Sequence, residues 1–253
     1  MVDVHQHLWP EELLYELSRR NAAPRLSGGY LALPGDWPVP FDPAAHDPVG
    51  RVGDRILIAP SLPSGFDDAL NAAHDRGVLA LGPPFELWTS APERLDAAVG
   101  LCLAGRDLPT ADLDVLEGKP LFVHPGPASG SPAWFPALTA YVAEMHEAWH
   151  WWAAFGRERY PGVRVVFAML AGLAPLHAER LAARGGPASA VNDPLTFFDT
   201  SSYGPRAIDA MLRVVGVDRL LYGSDVPVVE PVPLGLGDAV EHALTVSNPE
   251  FLL

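Results

Sequence analysis

The chain has 253 residues, is 49% hydrophobic and carries 17 basic against 31 acidic side chains, a net charge of −14. That balance excludes nucleic acid as a partner, since dense phosphate charge demands a basic surface, and it describes a well-hydrated protein. The single cysteine, Cys102, excludes an internal disulfide and fits a reducing cytoplasm, the expected location; no apolar run approaches the ~20 residues of a membrane span, and no basic region precedes the apolar start at Val2 as a signal peptide would require.

Residues 1–7, Met-Val-Asp-Val-His-Gln-His, read as a short buried strand. Side chains two apart on a strand share a face, so His5 and His7 can aim two imidazoles at one point. A helix follows over 10–20, with Pro10 suited to the first turn and Glu11 and Glu12 at the positive end of the dipole. Residues 21–50 are rich in Gly and Pro and too long for an ordinary connector. They are expected to run over the top of the domain, with a small hairpin at 30–33 and with Trp9 beside them walling a pocket.

A regular rhythm then sets in. Strands are expected at 55–59, 78–81, 99–103, 121–124, 163–168, 195–199 and 220–224. Helices are expected at 67–74, 92–98, 111–116, 136–155, 175–184, 205–215 and 238–246. The strands are near-continuous apolar runs, the pattern of strands covered on both faces. Eight such units in this length point to an α/β fold, a single-domain (β/α)8 TIM barrel over 1–253. An open doubly wound sheet is the competitor, but it announces itself with a Gly-rich loop where this chain has His-Gln-His.

Function in such barrels gathers at the C-terminal ends of the strands. Here those ends supply His5 and His7 (first strand), His124 (fifth) and Asp225 (after the eighth). Three imidazoles and a carboxylate form a plausible cage for one divalent ion, zinc first and manganese among the alternatives. More loosely placed candidates are Glu86 after strand three and Arg106 after strand four, either able to meet a substrate. Asp199 at the end of strand seven is a candidate to orient a ligating histidine.

On these residues the chain resembles the amidohydrolase superfamily, and within it the decarboxylase-like branch. That branch contains aminocarboxymuconate-semialdehyde decarboxylase, resorcylate decarboxylase and related lactone hydrolases. The matching stretches are Asp3-Val4-His5-Gln6-His7, Pro120-Leu121-Phe122-Val123-His124-Pro125, Phe198-Asp199-Thr200-Ser201 and Leu221-Tyr222-Gly223-Ser224-Asp225-Val226-Pro227, which span nearly the whole chain. The resemblance implies a metal-dependent hydrolase or decarboxylase acting on a small carboxylated or lactone-like molecule. His5, His7, His124 and Asp225 would be ligands, and Asp225 would double as a proton acceptor.

One position departs from the family. A histidine is expected at the end of strand six, before a glycine pair, but the chain reads Phe167-Ala168-Met169-Leu170-Ala171-Gly172. A thioether does not carry protons at neutral pH. Asp225 could act alone, His177 could substitute, or the barrel could bind metal and ligand without turnover.

A rival motif lies on the longest expected helix. His146-Glu147-Ala148-Trp149-His150 matches H-E-x-x-H, the signature of a zinc protease, with Glu158 and Glu179 as candidate third ligands. The neighbouring Trp149, Trp151 and Trp152 are expected to form core or a subunit contact, which would suit a homodimer.

Overall fold

The computed structural model describes residues 1–132 and 134–253. Eight parallel strands form one sheet in chain order: β1 (Val2–Gln6), β2 (Arg55–Ile58), β3 (Phe85–Thr89), β4 (Gly100–Ala104), β5 (Leu121–His124), β6 (Val165–Phe167), β7 (Thr196–Asp199) and β8 (Leu220–Leu221). The ring closes between the last strand and the first. Val4 N–H donates to Tyr222 O at 2.9 Å, Asp225 N–H to His5 O at 2.9 Å, and His7 N–H to Val226 O at 2.7 Å. The fold is therefore the (β/α)8 barrel, and strand ends far apart in sequence meet at one mouth.

The barrel interior explains why the strands are apolar throughout. Trp88, Phe122 and Val166 are buried, and Trp88 stacks on Phe122 with ring centroids 5.2 Å apart. The Trp88 indole N–H reaches Val4 O at 3.0 Å, so even the polar atom of this large side chain is satisfied. No helix of the described residues is long and apolar enough to cross a membrane.

Strand three is where expectation and structure part. The apolar run at 78–81 belongs to the helix Asp68–Leu81, which Asp67 caps by accepting from Leu70 N–H at 3.1 Å, and the strand follows at Phe85–Thr89. Four apolar residues in a row do not distinguish a strand from a buried helix end. The unit count survives the shift, but Glu86 moves from the end of the strand to near its start.

Residues 21–50 form a small antiparallel sheet, Arg25–Ser27, Tyr30–Ala32 and Val39–Pro40, then a turn at Pro43–His46. Tyr30–Ala32, where a small hairpin is expected, is the central strand of this sheet. The excursion packs against the helix Glu11–Ser18 through Leu31, Leu13 and Leu17, with Phe41 and His46 stacked on Trp9. Arg51 then pins it to the barrel. Its guanidinium donates to Gln6 Oε1 at 3.0 Å, Val226 O at 3.1 Å and His7 O at 3.2 Å.

The tryptophans of the expected subunit face are mostly internal. Trp149 and Trp152 are buried in the main core and Trp151 is only partly covered. The helix that carries them, Ala140–Trp151, runs on through a wide turn at Trp152–Gly156 to Arg157–Arg159.

Candidate metal centre

His5 and His7 come from the end of β1, where the pairing register with β2 slips between Asp3 and Gln6. Irregularities of this kind re-aim side chains at strand ends. The backbone here is fixed by buried Asp3, whose Oδ1 accepts from His5 N–H and Ser224 N–H and whose Oδ2 accepts from the Gln6 amide. One acid thus ties the end of β1 to the segment after β8. Gly223 keeps that segment close, because a Cβ there would lie 2.8 Å from His5 Cβ and 3.2 Å from Asp199 Cγ.

Each histidine of the mouth has one ring nitrogen spoken for. His5 Nδ1 lies 2.8 Å from Asp199 Oδ2, His7 Nδ1 2.9 Å from Ala59 O, and His124 Nδ1 2.8 Å from Pro125 O. Carbonyl and carboxylate oxygens only accept, so each Nδ1 carries the hydrogen and each Nε2 presents a lone pair. The ligand atoms of the three rings lie within 4.8 Å of one another, and the rings are buried. His5 Nε2 and His7 Nε2 face each other at 3.0 Å. Two bare lone pairs at that distance repel unless a cation or a proton lies beside them, so the donor set fits a metal ion.

Asp225 stands beside the two histidines of β1 and lines the same pocket. Its Oδ1 is 3.4 Å from His7 Nε2 and 3.8 Å from His5 Nε2, while Oδ2 accepts from the Ser202 hydroxyl at 2.5 Å. Burial would raise the Asp225 carboxyl. The bond to His7, the positive charge that His5 and His7 carry when protonated, and the Ser202 bond overcome it and hold the group well below the usual carboxylate range. Burial pulls His124 down, aided by the charges of His5 and His7, so it stays neutral and ready to ligate. For His5, burial is outweighed by the charge and hydrogen bond of Asp199, and the net shift is upward.

Asp199 also organises the opposite wall. Its Oδ1 accepts from Met169 N–H at 3.1 Å and Ser201 N–H at 2.9 Å, and Ser201 Oγ donates to the same oxygen. Beyond that anchor, Met169, Leu170, Ala171, Gly172 and Leu173 all have left-handed backbone, with φ of 54°, 50°, 53°, 60° and 69°. Four of the five carry side chains, an arrangement that costs about 1–2 kcal/mol for each such residue. The turn is held from outside by His146, whose Nε2 donates to Gly172 O at 2.7 Å.

The pocket in front of the histidines has a volume of about 150 Å3. Met169, Pro125, Ala137 and Leu138 supply apolar wall, and Tyr141, Tyr203, Ser202 and Val228 the rest. Sequence reasoning missed Tyr141, Leu138, Tyr203 and Val228, because which loop residues fold over a barrel mouth is not encoded in strand periodicity. The dense run Thr200-Ser-Ser-Tyr-Gly204 directly after β7 was the available signal for Tyr203. Burial raises both phenols, so Tyr141 and Tyr203 remain protonated at neutral pH.

The looser candidates lie elsewhere. Glu86 is paired with Arg55 at the start of β3, at the end of the barrel away from the mouth, because strand three begins later than its apolar pattern suggests. Arg106 is held by Glu144 and Pro127 O behind Gly126, outside the pocket lining. Trp9 is buried under the excursion, its indole N–H on Ser61 Oγ at 2.8 Å, and does not face the histidines. The excursion itself contributes none of the described lining residues.

The H-E-x-x-H histidines face different partners. His146 is bonded to Gly172 O and His150 Nδ1 to His146 O at 2.7 Å, and Glu147 is exposed. Among the described residues, the only metal-type cluster of three or more such side chains is His5, His7 and His124. His177 packs on His146 with ring centroids 5.4 Å apart and lies outside the pocket lining, so it does not fill the place of the strand-six histidine.

No protein-family model matches the sequence, and no curated protein matches it. Solved structures do match the fold. 5-Carboxyvanillate decarboxylase LigW from Sphingomonas paucimobilis aligns over all of this chain and 98% of its own, with a TM-score of 0.73 at 15% identity. 2,6-Dihydroxybenzoate decarboxylase from Rhizobium aligns over 99% of this chain and 97% of its own, with a TM-score of 0.64 at 14% identity. Dihydroxybenzoic acid decarboxylase from Polaromonas sp. JS666, solved with manganese and the inhibitor 2-nitroresorcinol, covers 99% and 96% with a TM-score of 0.61 at 14% identity. At these identities the likeness establishes a shared fold; the three proteins named are decarboxylases.

Proposed function

We propose that this chain is a metal-dependent decarboxylase of a small ring carboxylate. The observation that carries the reading is the convergence of three bare Nε2 lone pairs, each fixed by an acceptor on its own Nδ1, at the floor of a pocket at the barrel mouth. His5, His7, His124 and Asp225 would hold one divalent ion. Three imidazoles and a carboxylate suit zinc and manganese alike. The bound ion would supply Lewis acidity and neutralise the substrate's carboxylate.

The chain's own groups do the rest. Tyr141 and Tyr203 are neutral donors that can hydrogen-bond ring substituents. Met169 at the back and Leu138 and Val228 at the rim supply the apolar surface against which the ring would pack. Loss of CO2 breaks the ring–carboxyl bond and leaves its electron pair on the ring carbon, which must then take a proton. Asp225 is the only carboxylate among the described lining residues. Asp225 is held as carboxylate, so it must first take up a proton, from water or from a hydroxyl of the substrate, before passing it to the ring carbon, and Oδ1, not engaged by Ser202, is the atom we assign to this relay.

The test is metal analysis followed by CO2 release from hydroxybenzoate-type acids. Stoichiometric metal with turnover that disappears in Asp225→Asn is the expected result. Metal without turnover on any aromatic acid, ester or lactone would establish the second reading, a barrel that binds without reacting, which Met169 favours by placing a thioether where the family carries a histidine. Hydrolysis of lactones in place of decarboxylation would move the assignment to the hydrolytic side of the same branch.

A further inference from the structure

The pocket contains no lysine or arginine among its described lining residues. Two arginines bonded to segments that flank the pocket are committed elsewhere. The Arg106 guanidinium is paired with Glu144, which also accepts from Gly126 N–H, and it sits behind that glycine's backbone. Arg51 spends its donors on Gln6, His7, Ala45 and Val226 below the histidines. The protein as a whole adds a field that repels anions, with a net charge of −14. The volume is also restrictive, since a cavity of this size holds about one benzene-sized ring.

From this we infer that the site is built for acids with a single carboxylate on one six-membered ring, and that it discriminates against a second carboxylate on the ring. The inference rests on the decarboxylase reading, and it concerns the walls and not the metal. One carboxylate has a partner at the histidine floor. A second, meta to the first, meets Leu138, Val228 and the phenols of Tyr141 and Tyr203. A phenol offers one hydrogen bond and no charge, which does not replace the hydration of an anion.

The experiment is calorimetric titration of the metal-loaded protein with benzoate and with isophthalate, which differ only in the second carboxylate. Isophthalate is expected to bind on the order of 10-fold more weakly, as for a second negative charge that finds no cationic partner at a partly exposed rim of a net-negative protein. Leu138→Arg and Val228→Arg place a guanidinium on the rim, where these side chains are 66% and 63% exposed and tolerate change, and either is expected to close most of that gap. Isophthalate binding within threefold of the monoacid in the wild-type protein overturns the inference and leaves the decarboxylase reading intact. Failure of every aromatic acid to bind the metal-loaded protein sinks that reading and this inference together.

Discussion

Two histidine groups in this molecule look equally able to hold a metal, and the structure separates them. At the mouth, His5, His7 and His124 come from β1 and β5, elements far apart in sequence, and each Nδ1 is tied back to an acceptor so that each Nε2 points inward. On the Ala140–Trp151 helix, His146 and His150 have ideal spacing, but their bonds serve the backbone: one holds the left-handed turn and the other closes on the helix itself. The lesson is that spacing along one element says which side chains can meet, whereas the atom that fixes the second ring nitrogen decides what the first is free to do.

The most direct way to break that contrast is to remove one histidine from each group. His5→Ala or His124→Ala is expected to lower metal content by at least about 100-fold, whereas His146→Ala leaves it near wild type; metal analysis after gel filtration reads both. The opposite pattern would falsify the assignment of the centre. His146→Ala is instead expected to cost about 1–3 kcal/mol in a denaturant titration, because Gly172 O loses its donor.

A second substitution tests what the Ala140–Trp151 helix and its continuation are for. Trp152 is buried in the main core, so Trp152→Ala is expected to destabilise by about 3–5 kcal/mol without altering the metal stoichiometry of the folded fraction. A neutral effect on stability, paired with a changed oligomeric state, would show that this face is an interface after all.

Asp199 sharpens the comparison from the other side. Asp199→Ala leaves all four ligands in place but frees His5 Nδ1 and the Met169 anchor, so metal affinity is expected to fall about 10–100-fold. An unchanged affinity, measured by chelator competition, would mean that the tautomer of His5 does not depend on this carboxylate.

Smaller effects are expected away from the mouth. At Ala171, where φ is 53°, replacement by Gly relieves strain while losing a methyl contact, so Ala171→Gly is expected to shift stability by less than about 0.5 kcal/mol. The same change at buried helical Ala148 should cost about 1 kcal/mol. Equal losses at the two positions would argue against the left-handed turn. Asp75 provides the acid limb. Burial opposes its ionisation, but bonds from His74, Thr89 and Arg94 lower its pKa below the ordinary carboxylate value. Below that value the unfolded chain binds the extra proton first, so the contribution is present above about pH 4 and fades as pH falls through the folded-state pKa. Asp75→Asn should therefore lower stability at neutral pH and flatten the loss as pH falls below about 4, measured by thermal melts.

Much of the barrel was legible because apolar runs and Gly-Pro stops punctuate it. His5, His7, His124 and Asp225 were legible as strand ends, where this architecture gathers its reactive groups, and the structure brings these four together. Strand three was not, because Val78–Leu81 is apolar for the sake of helix packing and the true strand starts with Phe85-Glu86. That one slip put Glu86 at the wrong end of the barrel. The left-handed turn was invisible for a different reason. Only Gly172 in Met169–Leu173 advertises that conformation, and the other four adopt it under tertiary constraint from Asp199, Ser201 and the helix carrying His146. The walls of the pocket were hidden because they come from loops whose paths no short-range pattern fixes.

The closure of the ring between the first and last strands has a consequence for how the protein is made. His5 and His7 leave the ribosome first, but their backbone partners, Tyr222, Asp225 and Val226, come more than two hundred residues later. On the proposed reading, tight metal binding would then be a late event in synthesis and a reporter of completed assembly. A chain released before its eighth strand holds two histidines with nothing to aim them, and should have little more affinity for the ion than a short peptide.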